Sequence, residues 1–349
     1  MIRVIVVEDC PVMQKLISKF LDNDAGITVV GMAADPYEAR ALIKQLEPDV
    51  ITLDVQMPLM DGVTFLGHLM RLKPLPVVMV SGETIEGADL TIQALETGAV
   101  DFIAKATMTA PLLVEKVKEA ASVNIAALGT KADVEDTGSR TVRGLSAAQS
   151  GDSAPSRTAK DMTHEVIAIG ASTGGTEAIK EVLMRLDSDM PGIVITQHIP
   201  PVFSRSFAAR MDATCKLSVC EASDGQAILP GHAYVAPGDQ HLQVVRKKTG
   251  LVCRLNDGPP VSRHKPSVDV LFDSVAKTCG ASAIGVILTG MGKDGADGLL
   301  NMRKAGGHTI AQDEKSSVVW GMPGAAVKQN AAQTVQPLSR IAKKLMQLG

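Results

Sequence analysis

The strongest constraint on the fold is a regular alternation of short apolar runs with segments of helical periodicity. In residues 1–126, five runs rich in Val and Ile each precede a stretch with apolar residues on one helical face. The predicted strands are Ile2–Val7, Thr28–Ala33, Val50–Leu53, Val77–Val80 and Asp101–Ala104. Consecutive βα units favour a parallel sheet with right-handed crossovers, so we predict a five-stranded parallel α/β domain.

A second domain is expected because 349 residues exceed the length of one ordinary domain. Residues 127–162 are rich in Ser, Thr, Ala, Gly, Asp and Lys and lack apolar periodicity, which predicts a flexible linker. Residues 163–349 return to the α/β alternation, with a hairpin whose strands flank Lys248-Thr249-Gly250. We therefore predict a doubly wound α/β domain with an inserted β-hairpin.

Polar side chains follow the strands of the first domain. Glu8 and Asp9 end the first strand, Asp54 ends the third, and Ser81 and Lys105 follow the fourth and fifth. Carboxyl ends of parallel strands meet at one edge of a sheet. Three carboxylates there repel each other unless a divalent cation lies between them, and oxygen ligands suit Mg²⁺. One such acid alone would be a cap or turn residue, but the set predicts a magnesium site.

This set of residues also predicts phosphoryl transfer. With the metal reducing charge repulsion, Asp54 can attack an incoming phosphoryl group. Lys105 and Ser81 can then bind the phosphoryl oxygens. We therefore predict Asp54 as a phosphorylation site.

Composition excludes several classes of function. The net charge is −3 and no basic cluster is present, which argues against nucleic acid as the main partner. No apolar run reaches the ~18 residues of a membrane span, and the N-terminus enters a strand without a signal-peptide pattern. The five cysteines form no CxxC pair, so we expect reduced thiols in a cytoplasmic protein without membrane insertion.

A second candidate site begins at Gly170-x-Ser172-x-Gly174, which follows the predicted strand Val166–Ile169. The spacing is that of a nucleophile elbow. A glycine-rich turn of this kind also binds phosphate or simply permits a tight turn. Catalysis therefore requires a base and an orienting acid elsewhere in the chain.

The best candidate base is His198, because it follows an apolar strand, Ile193–Thr196, that ends at the same sheet edge as Ser172. The other histidines are His68, His164, His232, His241, His264 and His308. His264 lies in the Arg263-His264-Lys265 loop, and a loop histidine is usually a surface residue. We therefore do not assign it to the site.

The best candidate acid is Asp294, in a glycine-rich loop after the predicted strand Ala283–Leu288. Asp297 competes with it but is predicted to be a helix N-cap. In the predicted mechanism His198 takes the Ser172 proton and Asp294 fixes its tautomer. Backbone N–H groups of Thr173 and Met291 would form an oxyanion hole worth ~3 kcal/mol. The expected reaction is acyl transfer from an ester or amide, without a cofactor at this site.

Residues 1–126 resemble response-regulator receiver domains. The matching residues are Glu8-Asp9, Asp54, Met57-Pro58, Asp61-Gly62, Ser81-Gly82 and Phe102-Ile103-Ala104-Lys105. The resemblance implies a flavodoxin-like fold of strand order 2-1-3-4-5 and a sensor histidine kinase as phosphodonor. The resemblance implies that Phe102 corresponds to the family's switch aromatic. The alternative is that Phe102 is an ordinary core residue of its strand.

The chain departs from the family after Lys105. The family usually has Pro at the next position, often with a cis peptide bond, whereas here Ala106 follows. A cis bond before a residue other than proline would cost ~3 kcal/mol, so we predict a trans bond and a different loop.

Residues 164–349 resemble the catalytic domain of chemotaxis protein-glutamate methylesterases. The matching stretches are Gly170–Gly175, Gln197-His198, Val235–Asp239, His264–Asp269, Thr289–Gly295 and Gly321-Met322-Pro323. The family's catalytic residues fall on Ser172, His198 and Asp294. The resemblance implies phosphorylation-controlled hydrolysis of glutamate γ-methyl esters, and deamidation of certain glutamines, on methyl-accepting chemotaxis receptors. A chemotaxis histidine kinase would supply the phosphoryl group.

Three other functions differ in the sequence features that they would require. A transcription regulator needs a basic recognition helix, and none is found in the sequence. A nucleotide binder at Gly170–Gly175 would need a Walker Lys-Ser/Thr or a Gly-x-Gly-x-x-Gly pattern, and neither is found there. A non-catalytic scaffold would not require an intact Ser172, His198 and Asp294.

Overall fold

The computed structural model of the protein describes residues 1–82, 85–125 and 164–349. The predicted linker, residues 127–162, lies outside the described residues. The first sheet has five parallel strands in the order β2-β1-β3-β4-β5. Its strands are β1 (Ile2–Val7), β2 (Ile27–Ala33), β3 (Val50–Asp54), β4 (Val77–Ser81) and β5 (Asp101–Ala104). The predicted parallel domain and its strand order are confirmed.

The helices of this domain are α1 (Pro11–Asp22), α2 (Pro36–Leu46), α3 (Gly62–Leu72), α4 (Ile85–Thr97) and α5 (Ala110–Ala121). Asp35 caps α2, since its side chain accepts hydrogen bonds from the N–H groups of Tyr37 and Glu38. The sequence of Pro11–Asn23 predicts a helix with Val12, Leu16, Ile17, Phe20 and Leu21 on one apolar face, but Val12 is 74% exposed. The sheet covers only the Ile17–Leu21 side of that helix, so the prediction for Val12 is wrong.

The second sheet has seven parallel strands in the order β14-β13-β12-β6-β7-β9-β8. The strands from β6 onward are β6 (Val166–Ala171), β7 (Gly192–Gln197), β8 (Ser218–Glu221), β9 (His232–Val235), β10 (His241–Lys247), β11 (Gly250–Asn256), β12 (Ala283–Ile287), β13 (His308–Gln312) and β14 (Thr334–Gln336). The remaining helices are α6 (Gly175–Leu183), α7 (Pro201–Thr214), α8 (Val268–Cys279), α9 (Ala296–Lys304), α10 (Met322–Lys328) and α11 (Leu338–Leu348). The short elements α10 and β14 were not predicted.

The predicted hairpin is β10–β11, an antiparallel pair outside the main sheet. It packs on α8, where the Val244 N–H donates to Ser274 Oγ at 2.9 Å and Thr278 Oγ1 donates to the Val244 carbonyl at 2.9 Å. No helix within the described ranges is both long and apolar enough to cross a membrane.

The two domains are docked against each other. Phe102 of β5 packs on Phe203 of α7 with ring centroids 4.3 Å apart. Glu96 of α4 forms ion pairs with Lys180 and Arg210 of the second domain. These contacts come from the end of α4 and the start of β5, so this side of the first domain faces α6 and α7 of the second.

Two Gly→Ala substitutions test the space around glycines in the two domains, one where β6 packs on α8 and one within α3. A Cβ on Gly170 would lie 2.1 Å from Val268 Cγ1, so Gly170→Ala should lower the free energy of unfolding by about 1–3 kcal/mol. A Cβ on Gly67 in α3 would meet only Thr97 Cγ2 at 3.6 Å, so Gly67→Ala should raise it by roughly 0.5–1 kcal/mol. Urea denaturation followed by circular dichroism measures both. An unchanged midpoint for Gly170→Ala would contradict the close packing of β6 on α8.

Candidate active site and phosphorylation site

Ser172 lies in the turn that joins the central strand β6 to α6 and is 7% exposed. Its N–H donates to the Thr289 carbonyl at 3.0 Å, and its carbonyl accepts from Gln197 Nε2 at 2.9 Å. Gly174 has a φ of 73°, and a Cβ there would lie 2.7 Å from Val318. The turn therefore needs glycine at that position to present the serine at the edge of the sheet.

His198 and Asp294 join Ser172 because β7 and β12 flank β6 in the sheet. His198 Nδ1 lies 3.1 Å from Ser172 Oγ, and His198 Nε2 lies 2.8 Å from Asp294 Oδ2. A carboxylate accepts only, so Nε2 carries the proton and Nδ1 is left to accept from the serine hydroxyl. The structure thus brings together the nucleophile, base and acid that the sequence suggested.

The Asp294 carboxylate has a full set of donors. Oδ2 also accepts from the Val268 N–H at 2.7 Å, and Oδ1 accepts from Ser267 Oγ at 2.8 Å and the Asp269 N–H at 3.2 Å. Two of these donors are the first N–H groups of α8. Burial alone would raise the pKa of Asp294, but the hydrogen bonds, led by that from His198, lower the pKa to about 2. Asp294 is therefore ionised at any working pH.

Asp297, the competing acid, lies in the first turn of α9. The N-cap position is occupied by Gly295, whose φ of 86° is in the left-handed region. The N-cap prediction for Asp297 is therefore wrong, because the chain turns one residue before α9 in a conformation that favours glycine.

Thr173 directly follows Ser172 in the chain, and Met291 lies in the loop after β12. A Cβ on Gly290 would lie 2.7 Å from Ser172 Cβ, so the loop that carries Met291 runs directly past the Ser172 side chain. Within the part of the chain that the structure describes, neither the Thr173 N–H nor the Met291 N–H has an acceptor. Both N–H groups are therefore available to a substrate oxygen.

His264 was missed by the sequence interpretation. Its ring stacks on that of His198 with centroids 3.7 Å apart and planes 14° from parallel. The prediction that it is a surface residue is wrong, because the turn at Ser262-Arg263 folds the loop back over the catalytic cleft. Two signals were available: His264 opens the family-matching stretch His264–Asp269, and it lies a few residues before Ser267 and Val268, which bind Asp294.

The acids of the first domain form a compact group. Ligand oxygens of Glu8, Asp9 and Asp54 all lie within 4.8 Å of one another. Lys105 Nζ lies 2.8 Å from Asp54 Oδ2 and 3.0 Å from Glu8. Burial, with the Asp54 charge, raises the pKa of Glu8 despite the lysine. Three carboxylates share one lysine here, so negative charge is in excess, and the oxygen donors of the group fit a divalent cation.

Two other predicted residues are nearby. The Ser81 hydroxyl bonds locally, lying 3.0 Å from the Gly82 carbonyl and 2.8 Å from Thr91 Oγ1, so it does not bond to the acids here. The bond between Lys105 and Ala106 is trans, as predicted, and a short 3₁₀ turn, Lys105–Thr107, follows β5. The loop thus keeps the lysine on the acids without a proline.

The docked receiver-like domain touches the turn beside Ser172. Thr173 Oγ1 lies 3.2 Å from Asp101 Oδ2 and 3.0 Å from Glu119 Oε2, and Lys116 Nζ lies 2.5 Å from Asp101 Oδ2. A hydroxyl has one proton, so it satisfies only one of two carboxylates. Burial, with the Asp101 charge, raises the pKa of Glu119 to about 7. When Glu119 is protonated, its carboxyl group donates to Thr173 Oγ1, and the Thr173 hydroxyl donates to Asp101. Each of the three side chains then has a hydrogen-bond partner.

Comparison with known proteins agrees with this organisation. Residues 167–345 match the family model for CheB methylesterase, and residues 4–118 match that for response regulator receiver domains. The chain is 52% identical to protein-glutamate methylesterase/protein-glutamine glutaminase 2 of Xanthomonas oryzae pv. oryzae, over 99% of this chain and 97% of that protein. It is 50% identical to the protein-glutamate methylesterase/protein-glutamine glutaminase of Hydrogenovibrio crunogenus, over 99% and 98%.

The second domain also resembles a solved structure. The catalytic domain of the Thermotoga maritima CheB methylesterase is 37% identical with a TM-score of 0.52, and the match covers 53% of this chain and 99% of that one. Fold, family models and full-length relatives therefore agree. The chain belongs to the CheB methylesterase family, with a response regulator receiver domain in front of the methylesterase domain.

Proposed function

We propose that this protein is a phosphorylation-controlled serine hydrolase that removes methyl groups from glutamate γ-methyl esters, and deamidates specific glutamines, on methyl-accepting chemotaxis receptors. The observation that carries the proposal is the hydrogen-bonded series Ser172–His198–Asp294, with distances of 3.1 and 2.8 Å. The names of full-length relatives at 50–52% identity support both activities.

The geometry supports acylation of Ser172. His198 Nδ1 takes the hydroxyl proton as Ser172 Oγ attacks the ester carbonyl carbon, and the ionised Asp294 balances the imidazolium that forms. The Thr173 and Met291 N–H groups form an oxyanion hole that stabilises the developing charge by about 3 kcal/mol. The C–O bond then breaks, and the methoxy oxygen leaves as methanol with the proton from His198.

Deacylation uses the same groups in reverse. A water molecule loses a proton to His198 and attacks the acyl carbon, which releases the glutamate carboxylate and restores the Ser172 hydroxyl. A glutamine substrate loses ammonia instead of methanol in the first step. Because His198 carries out every proton transfer, we propose that this site needs no cofactor.

Regulation is assigned to Asp54, which we propose accepts a phosphoryl group from a chemotaxis histidine kinase. Glu8, Asp9 and Asp54 would hold Mg²⁺, which when bound offsets the charge between carboxylates and phosphoryl oxygens. Lys105 already contacts Asp54 and would bind a phosphoryl oxygen. Ser81 would do so after its hydroxyl turns away from Gly82.

We propose that the receiver domain, residues 1–126, restricts access to the catalytic domain, residues 163–349. The cleft of about 350 Å³ that holds Ser172 and His198 is also lined by Phe102 and Glu119 of the receiver. Phe102 is the proposed switch aromatic, and its packing on Phe203 connects it to the catalytic domain. Phosphorylation would weaken this docking and admit the receptor.

We propose a cytoplasmic location. All five cysteines lie in the described residues and are free thiols, as expected in a reducing compartment. A kinase phosphodonor and the cytoplasmic helices of receptors would be available there.

The nucleophile is tested by Ser172→Ala. We expect methanol release from methylated receptors to fall to background, because no other group at the site can form the acyl-enzyme. Ser188→Ala, at an exposed serine of the same domain, should retain full activity. Methanol release and the thermal unfolding midpoint are measured together. Residual activity near the wild-type rate would remove Ser172 as the nucleophile.

The phosphorylation site is tested by Asp54→Asn. The amide cannot accept a phosphoryl group, so acetyl phosphate with Mg²⁺ should stimulate the wild type and leave the variant at its basal rate. Methanol release with and without phosphodonor measures this, and the equal basal rates serve as the control for folding. A variant that still responded to phosphodonor would contradict the assignment.

We expect the Glu119 carboxyl group, at the interface between the docked domains, to be protonated at low pH. Burial in the docked structure raises the pKa of Glu119 to about 7, so we expect docking to be stabilised at low pH and to lose that stabilisation as the pH rises through about 7. Basal methanol release by the unphosphorylated wild type should therefore increase, by up to roughly tenfold between pH 6 and 8, relative to Glu119→Gln, whose amide mimics the protonated acid. Glu119→Ala should raise the basal rate at every pH. A constant ratio of wild type to Glu119→Gln would contradict the protonated interface.

A further inference from the structure

His264 occupies a defined place in the catalytic cleft without any role in the proposed proton transfers. Its ring lies face to face with that of His198, 3.7 Å away and 14° from parallel. The edges of the His198 ring bond to Ser172 and Asp294. His264 therefore covers a face of the base, while the two hydrogen bonds hold its edges.

The loop that carries His264 is built to hold it there. Val261 and His264 exchange two backbone hydrogen bonds of 3.0 and 2.9 Å, which closes a tight turn. Ser262 and Arg263 at the tip have φ angles of 52° and 69°, in the left-handed region that non-glycine residues seldom occupy. Strain of this kind persists where surrounding structure imposes it and is concentrated at functional sites.

A second histidine anchors the other side of the loop. His241 Nδ1 accepts the Ser267 N–H at 3.1 Å, so its Nε2 carries the proton and donates to the Pro259 carbonyl at 3.0 Å. Ser267 Oγ in turn donates to Asp294. The segment from residue 261 to residue 268 thus carries both the stacked ring and two donors to the catalytic acid.

The His264 ring is neutral in this setting. Burial and the adjacent His198 lower the pKa of His264 to about 4, against the opposing charge of Asp294. The other charged groups that face it are Arg263 of its own turn and Lys116 of the receiver, and both also disfavour its protonation. A neutral π face beside His198 attracts the positive charge that His198 gains during the reaction.

We propose that His264 is a positioning residue for the hydrolysis: its ring holds the His198 imidazole in line with Ser172 and Asp294 and stabilises the imidazolium. This inference rests on the proposed ester hydrolysis. It accounts for the stacking, for the strained turn and for the placement of a histidine that takes no part in proton transfer.

The test compares His264→Phe, His264→Leu and His264→Gln in the full chain with saturating phosphodonor, so that docking does not affect the rates. The variant His264→Phe keeps a π face beside His198. It should therefore retain a kcat within about threefold of the wild type and the wild-type pH profile. Leu and Gln lack a π face, and both should lower kcat by about tenfold. In both variants the acidic limb of the pH profile of kcat/KM should move to lower pH by about half a unit, because His198 becomes less basic.

The controls separate the possible failures. His232→Leu, at a half-buried histidine of β9, should leave kcat and the pH profile unchanged. A wild type without methyl ester hydrolysis would contradict the proposed function itself. With an active wild type, unchanged rates and pH profiles in Leu and Gln would overturn the role of His264, and so would an equal loss in Phe. Thermal unfolding midpoints identify any variant that loses activity by unfolding.

Discussion

A buried negative charge, the Asp294 carboxylate, controls the architecture of the catalytic domain. An isolated carboxylate in an apolar interior would become protonated or cost several kcal/mol. Here four donors surround it, one from His198 and three from the start of α8 and the preceding Ser267. The hydrogen bonds to this carboxylate connect the loop after β12 to α8 and to His198 at the end of β7. The same connection orients His198 toward Ser172.

Strand β5 connects the two sites over a short distance. Asp101 and Phe102, at its start, contact the catalytic domain through Thr173 and Phe203. Lys105 follows its last residue and bonds to Asp54 and Glu8. A strand of four residues spans only about 13 Å. Asp54 and the turn that carries Ser172 are therefore connected through contacts at the two ends of one short strand.

Sequence reasoning succeeded where the determining physics is local. Hydrophobic periodicity identified β6, β7 and β12, and the polar residues after them were assigned to one edge because parallel strands share their direction. It failed for Val12, Asp297 and His264. The exposure of Val12 depends on how far the sheet extends, and the position of Asp297 depends on the left-handed conformation of Gly295. The location of His264 depends on two strained residues that no propensity would favour.

The sequence by itself determined the two α/β domains, the order of their elements and the residues Asp54, Ser172, His198 and Asp294 as the candidates for chemistry. These follow from patterns of near neighbours along the chain. The tertiary structure alone decided that His264 stacks on His198 and that Glu119 meets Thr173 with a raised pKa. The reason is that stacking, desolvation and hydrogen-bond competition depend on distances through space between residues far apart in sequence.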